Sequence, residues 1–212
     1  MKVLIYGDSQ TGHTGRELQK LLKAQGHAVT RNTKSGKSSS WLNKNAPSAS
    51  GYDEVYVFSG GNDGKVQAES VKELLSKLSK TSKVFYFGPP PATLITDLPF
   101  AKKVWGSAKT ADKFFPQTAA FREKKNTAYK KVTGNLPNVT VLDFRNAPLS
   151  NIQQQPSGVM YPSQRDGIHT SGQSAKEAAV YALNRKGKSK DNNILYAGAA
   201  VAVVLWLLTR KS

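Results

Sequence analysis

The sequence predicts an α/β fold on a parallel sheet, and three features lead there. Short runs rich in Val, Ile, Tyr and Phe alternate with segments of helical period, the order that parallel strands with crossover helices require. At 212 residues the chain is long enough for one such domain plus a short appendage, and too short for two comfortable domains. Its composition, 38% hydrophobic and 21% charged, is that of a globular chain and not of a disordered one.

Val3 to Tyr6 gives the first strand. Behind it, Thr14-Gly15-Arg16-Glu17 has capping-box spacing, Leu18, Leu21 and Leu22 form an apolar face, and Gly26 suits the helix exit. His27 to Thr33 reads as a second strand, followed by a Ser-rich stretch from Ser35 to Ser40. Glu54 to Phe58, alternating valines with Tyr56 and Phe58, reads as the third. Val71, Leu74, Leu75 and Leu78 stand at i, i+3, i+4 and i+7, which puts all four on one helix face. Lys83 to Phe87 is the fourth strand, stopped by Gly88-Pro89-Pro90-Pro91. Residues 92–116 show no clear period and are expected to cover part of the sheet's upper rim as an irregular loop. Gln117 to Lys131 reads as a basic helix, Val139 to Phe144 as the fifth strand and Ser174 to Asn184 as the domain's last helix. No internal repeat is present.

The domain is therefore expected to span 1–185, followed by a basic linker over 186–193 and a transmembrane helix over 194–209. From Ile194 to Leu208 every residue is apolar or Gly. As a helix that run covers roughly 22 Å of a hydrocarbon core ~30 Å thick. Lys190 and Arg210 can snorkel outward while Tyr196 and Trp206 sit near the two interfaces. A buried core helix is the alternative, weakened by the absence of charge on any face and by the polar linker before it. The flanks are basic on both sides and do not set an orientation. The run after Met1 is too short for a signal-peptide core, so the simplest expected topology inserts only the tail.

The formal net charge is +17, from 31 Lys and Arg against 14 Asp and Glu spread along the chain. That field favours polyanions such as anionic lipid, nucleic acid or an acidic cell-wall polymer; a solvated basic surface is the other reading. The chain has no cysteine, which excludes disulfides, thiolate metal sites and a cysteine nucleophile. His13, His27 and His169 have no ligand cluster at metal-binding spacing, so neither a metal nor a cofactor is expected.

Three short motifs each follow a strand. Gly7-Asp8-Ser9 follows the first, placing Ser9 where open α/β sheets put their sites, although alone it reads as an ordinary Asx or Ser turn. Ser59-Gly60-Gly61-Asn62-Asp63 follows the third; it reads as a turn with Asp63 capping the next helix, or as a turn aiming the Asn62 amide at developing negative charge. Asp166-Gly167-Ile168-His169 follows the last. It reads as a surface loop, or as a base and the carboxylate that orients it, the pair a serine nucleophile needs.

Taken together, in this order and context, the motifs make the chain resemble the SGNH (GDSL-like) hydrolases, whose blocks are Gly-Asp-Ser, a single Gly, Gly-x-Asn-Asp and Asp-x-x-His. Gly7-Asp8-Ser9, Gly60-Gly61-Asn62-Asp63 and Asp166-Gly167-Ile168-His169 supply three blocks, and Ser35-Gly36, between the second strand and Trp41, supplies the fourth. The resemblance runs from Gly7 to His169, with Gln10 standing where many relatives carry Leu. It implies a three-layer α/β/α sandwich with about five parallel strands. It also implies Ser9 as nucleophile, His169 as general base and then acid, and Asp166 orienting it. The oxyanion donors would be the Ser9 and Gly36 backbone N–H groups and the Asn62 side-chain amide. His13 stands four residues after Ser9 and reads as a pocket or loop residue.

The expected function is a membrane-anchored serine esterase acting on O-acyl groups, O-acetyl above all, of an envelope or cell-wall polysaccharide. A lipid acyl ester is the alternative substrate. A phage or virion membrane protein, or one of a bacterial envelope, would suit the size and tail. The rival from another class is a non-catalytic basic membrane protein that binds nucleic acid or anionic lipid on a hydrolase scaffold.

Overall fold

A computed structural model describes residues 1–90, 119–143, 153–155, 158–160 and 172–186. Five strands, β1 (Lys2–Gly7), β2 (Ala28–Thr33), β3 (Glu54–Phe58), β4 (Lys83–Phe87) and β5 (Val139–Leu142), form one sheet in the order β2-β1-β3-β4-β5. Every pairing in it is parallel, as the alternation of strand and helix predicts.

Side chains leave successive strand positions on opposite faces, and both faces are apolar. Val3, Ile5, Tyr56, Phe58, Phe85 and Phe87 point to one side, where they meet Leu18 and Leu22 of α1 (Thr14–Ala24) and Ala178, Ala179 and Ala182 of α5 (Gly172–Lys186). Leu4, Tyr6, Val55, Val57, Val84 and Tyr86 point to the other. There they meet Leu42 of α2 (Ser39–Lys44), the four-residue stripe Val71, Leu74, Leu75 and Leu78 of α3 (Ala68–Leu78), and Tyr129 of α4 (Ala119–Thr133). The result is three layers, helix on sheet on helix. Between β3 and β4, the cross-strand partners Tyr56 and Phe85 stack at 4.8 Å and Phe58 and Phe87 at 4.6 Å, which fixes the register on that face.

The exit of α1 follows the expectation. Gly26, at φ +80°, lets the chain turn back so that its own N–H reaches the Lys23 carbonyl at 2.9 Å and the His27 N–H that of Leu22 at 3.1 Å. The entry differs by one residue: the cap position is His13, with no side-chain capping bond, and Thr14 opens the helix. The Ser-rich stretch holds a helix that its composition hides, because Ser38 acts as the cap of α2, accepting from the Trp41 N–H. A two-stranded antiparallel pair, β6 (Gln153–Gln155) and β7 (Gly158–Met160), also has no apolar alternation to announce it. The loop 92–116, the linker, the segment 194–209, Asp166 and His169 lie outside the described residues. Among the described residues no helix is long and apolar enough to cross a membrane.

Leu74 is fully buried at the centre of the α3 stripe. Leu74→Ala should therefore lower the unfolding free energy by about 2–5 kcal/mol, read as a lower urea midpoint at unchanged slope.

Candidate active site

The strand order reverses direction between β1 and β3, and at such a switch point the loops leaving the two strands diverge and open a crevice at the sheet's carboxyl edge. Ser9 leaves β1 there and Asn62 leaves β3.

The chain enters the first loop through Gly7, at φ +147°, packed so close to β3 that a Cβ would collide with the Phe58 carbonyl. The next N–H, that of Asp8, donates to the same carbonyl at 2.9 Å. The Asp8 side chain is 1% exposed. One of its oxygens accepts the Gln10 N–H at 3.0 Å, capping the 3-10 turn Ser9–Gly12; the other accepts the Gly61 N–H at 3.2 Å. Asp8 thus carries two loops at once, and half-buried Ser9 opens the turn that it caps.

Asn62 is half-buried, and its side-chain amide donates to the Lys37 carbonyl at 3.3 Å. This links the Asn62 turn to the loop after β2, which is itself tied to β1 by the Lys34 N–H on the Gly7 carbonyl at 2.7 Å. Gly36 lies on that loop, exposed, at φ +73°. Among the described residues its N–H makes no hydrogen bond. Hydrogen bonds therefore connect the loops bearing Ser9, Gly36 and Asn62. His13 is half-buried at the start of α1.

Asp63 departs from the capping role: α3 begins only at Ala68, and Asp63 turns inward with 0% exposure. Its carboxylate accepts the Ser39 N–H at 2.7 Å, the Ser39 hydroxyl at 2.6 Å and the Tyr129 hydroxyl at 2.7 Å. Because the Ser39 proton goes to Asp63, the 2.6 Å contact between Ser39 and Ser59 is made by the Ser59 hydroxyl donating. Charge-assisted bonds of this kind are about twice as strong as neutral ones.

Two basic side chains of α4, which the sequence marks only as a basic helix, are buried. Arg122 is 1% exposed and donates to the Pro90 carbonyl at 2.7 Å. Lys125 is 0% exposed, and its Nζ donates to the carbonyls of Gly61 and Asp63, each at 3.3 Å. Arg122, Lys125, Asn126 and Tyr129 stand at i, i+3, i+4 and i+7, a helical face made of polar side chains. That spacing is visible in the sequence, but charged residues ordinarily mark the solvated side of a helix. Burial, helped by the Arg122 charge, pushes the Lys125 amine down to about 7, while Asp63 and Asp8 pull it back up. Burial also raises the Tyr129 hydroxyl far above the usual tyrosine range, reinforced by the Asp63 charge and by their hydrogen bond. Among the described residues no three His, Asp or Glu side chains gather as a metal would require.

No protein-family model matches the chain, and no curated protein matches it by sequence. Solved structures do match it by fold. A protein described as a GDSL-like lipase, from Parabacteroides merdae, superposes with a TM-score of 0.60 at 15% identity over 88% of this chain and 95% of its own. The chain has the SGNH hydrolase fold. An acetyl xylan esterase shares this SGNH architecture with a TM-score of 0.60 at 18% identity, over 87% of this chain and 99% of its own. The C-terminal catalytic domain of peptidoglycan O-acetyltransferase A from Streptococcus pneumoniae, carrying a methylsulfonyl adduct, does so at 0.59 and 16%, over 90% and 94%.

A lysine whose folded pKa is depressed binds its proton less tightly in the native than in the unfolded state. Between about pH 7 and the ordinary lysine range the unfolded chain therefore holds the extra proton, and stability rises with pH. Urea unfolding at pH 7 and pH 9.5 should show the wild type gaining stability relative to Lys125→Met over that interval. Parallel pH dependence in the two proteins would contradict the buried, depressed amine.

Proposed function

We propose that this chain is a serine esterase that removes O-acyl groups, O-acetyl above all, from a carbohydrate polymer. One observation carries the reading: the loops bearing Ser9 and Asn62 are joined through Asp8 at the switch point of an SGNH-fold sheet. In this scheme the Ser9 Oγ attacks the ester carbonyl carbon while His169 takes its proton, and Asp166 orients and balances the imidazolium. The oxyanion is held by the Ser9 and Gly36 N–H groups and the Asn62 amide. Collapse breaks the C–O bond, the leaving alkoxide takes the proton from His169, and water repeats the sequence to free Ser9 and the acid.

Acetyl-carbohydrate substrates are favoured because the neighbours in fold include a carbohydrate acetylesterase family member from Sinorhizobium meliloti, with a TM-score of 0.56 at 16% identity over 87% of this chain and 97% of its own. The acetyl xylan esterase and the peptidoglycan O-acetyltransferase domain point the same way. The net charge of +17 favours an anionic polymer over a neutral one. In this reading residues 194–209 anchor the domain beside a membrane, at an envelope or virion surface, so that it works on polymer within reach of the tether.

A fluorophosphonate probe should label the wild type and fail on Ser9→Ala and His169→Ala; absence of wild-type labelling, with salt-sensitive polyanion binding instead, would favour the basic scaffold without catalysis. Asn62→Ala should cut turnover of a small aryl acetate about 10²- to 10³-fold with the fold intact. Faster release of long-chain fatty acid than of acetate, across a panel of esters, would move the substrate to lipid. Removing the residues after Lys190 should release the protein from a carbonate-washed membrane fraction.

A further inference from the structure

We propose that Lys125 is a positioning residue for the candidate oxyanion donor: its Nζ grips the carbonyls of the residues on either side of Asn62 and so fixes where the Asn62 amide points. The inference rests on the role given to Asn62 above and extends it to a residue of another layer. Lys125 is remote in sequence, 64 residues from Gly61 and 62 from Asp63, and reaches the turn only because α4 packs beneath it.

The backbone of the turn is held on both sides of its middle residue. The Gly61 N–H is bound by Asp8 and its carbonyl by Lys125; the Asp63 carboxylate is bound by Ser39 and Tyr129, and its carbonyl again by Lys125. The Asp63 N–H closes the turn on the Gly60 carbonyl at 3.4 Å. Asn62 is the residue left facing outward, half-buried, with its amide toward the loop of Gly36. Clamping both neighbours of a residue fixes its Cα–Cβ direction without touching its side chain, as a donor that must meet charge at one point in space requires.

Packing alone does not account for a lysine here. A fully buried amine carries a large desolvation cost, and an unbranched apolar side chain such as Met would fill much of the same space without it. What Met would lack is the pair of hydrogen bonds to the Asn62 turn. Arg122 sits one helical turn before Lys125 and is bonded to a different segment, at the Pro90 carbonyl.

A double-mutant cycle on the full chain tests this, with hydrolysis of a small aryl acetate measured for wild type, Asn62→Ala, Lys125→Met and the pair. Lys125→Met should lower kcat about 10- to 100-fold while KM moves less than about threefold, the pattern of a misaimed group and not of lost substrate binding. In the Asn62→Ala background the same substitution should change kcat by less than about twofold, because there is no longer an amide to aim. A purely structural lysine would depress both backgrounds by the same factor, and that additive result, or an unchanged kcat in Lys125→Met, overturns the inference. If Lys125→Met fails to fold by circular dichroism, Lys125→Gln, polar but with its nitrogen one atom nearer the backbone and so short of the two carbonyls, runs the same cycle with the same two outcomes. A wild type that neither hydrolyses the ester nor takes up the fluorophosphonate overturns the esterase reading and this inference together; hydrolysis with an additive cycle overturns this one alone.

Discussion

Two buried carboxylates organise the carboxyl edge of the sheet. Asp8 fastens the turn after β1 to the turn after β3, and Asp63 fastens that second turn to the start of α2 and to α4. A carboxylate removed from water must recover its lost solvation from donors, and each of these does so by drawing N–H and O–H groups out of separate loops. The demand for donors is what makes the loops converge. The apolar layers set the distance between sheet and helices, but they would tolerate other loop paths; the carboxylates would not.

The same electrostatics explains why α4 has the sequence it has. Lys125 is buried where the charges of Asp63 and Asp8 favour its protonated form against the cost of burial. This balance is internal to the domain and independent of the excess of basic residues over the rest of the chain. Among the described residues two populations of basic side chain therefore coexist: exposed ones such as Lys20, Lys72 and Lys130, which set the outer field, and the buried Arg122 and Lys125, which donate to backbone carbonyls.

The sheet was readable in the sequence because hydrophobic patterning is a local signal. Glu54–Phe58 and Lys83–Phe87 could be bounded to the residue, and the stripe on α3 named the four side chains that enter the core. The strand-end motifs were readable for a different reason, since Gly7-Asp8-Ser9 and Gly60-Gly61-Asn62-Asp63 combine turn residues with groups that carry chemistry. What escaped depended on tertiary pairing. Ser38 and Ser39 look like linker composition until the cap of α2 and the Asp63 carboxylate give them partners. Asp63 looks like a helix cap until α3 is seen to start five residues later. Lys125 looks like a solvated charge until the acids it faces are located, and those acids lie more than sixty residues away.

That separation also orders events during synthesis. When the ribosome has released only β1 through α3, the nascent chain already contains both acids but not the α4 tyrosine that completes the shell of Asp63. Until α4 emerges and docks, Asp63 lacks its tyrosine partner. The amino-terminal half can gather into a sheet early, yet the hydrogen-bonded shell of Asp63 closes only when the carboxyl-terminal half supplies Tyr129.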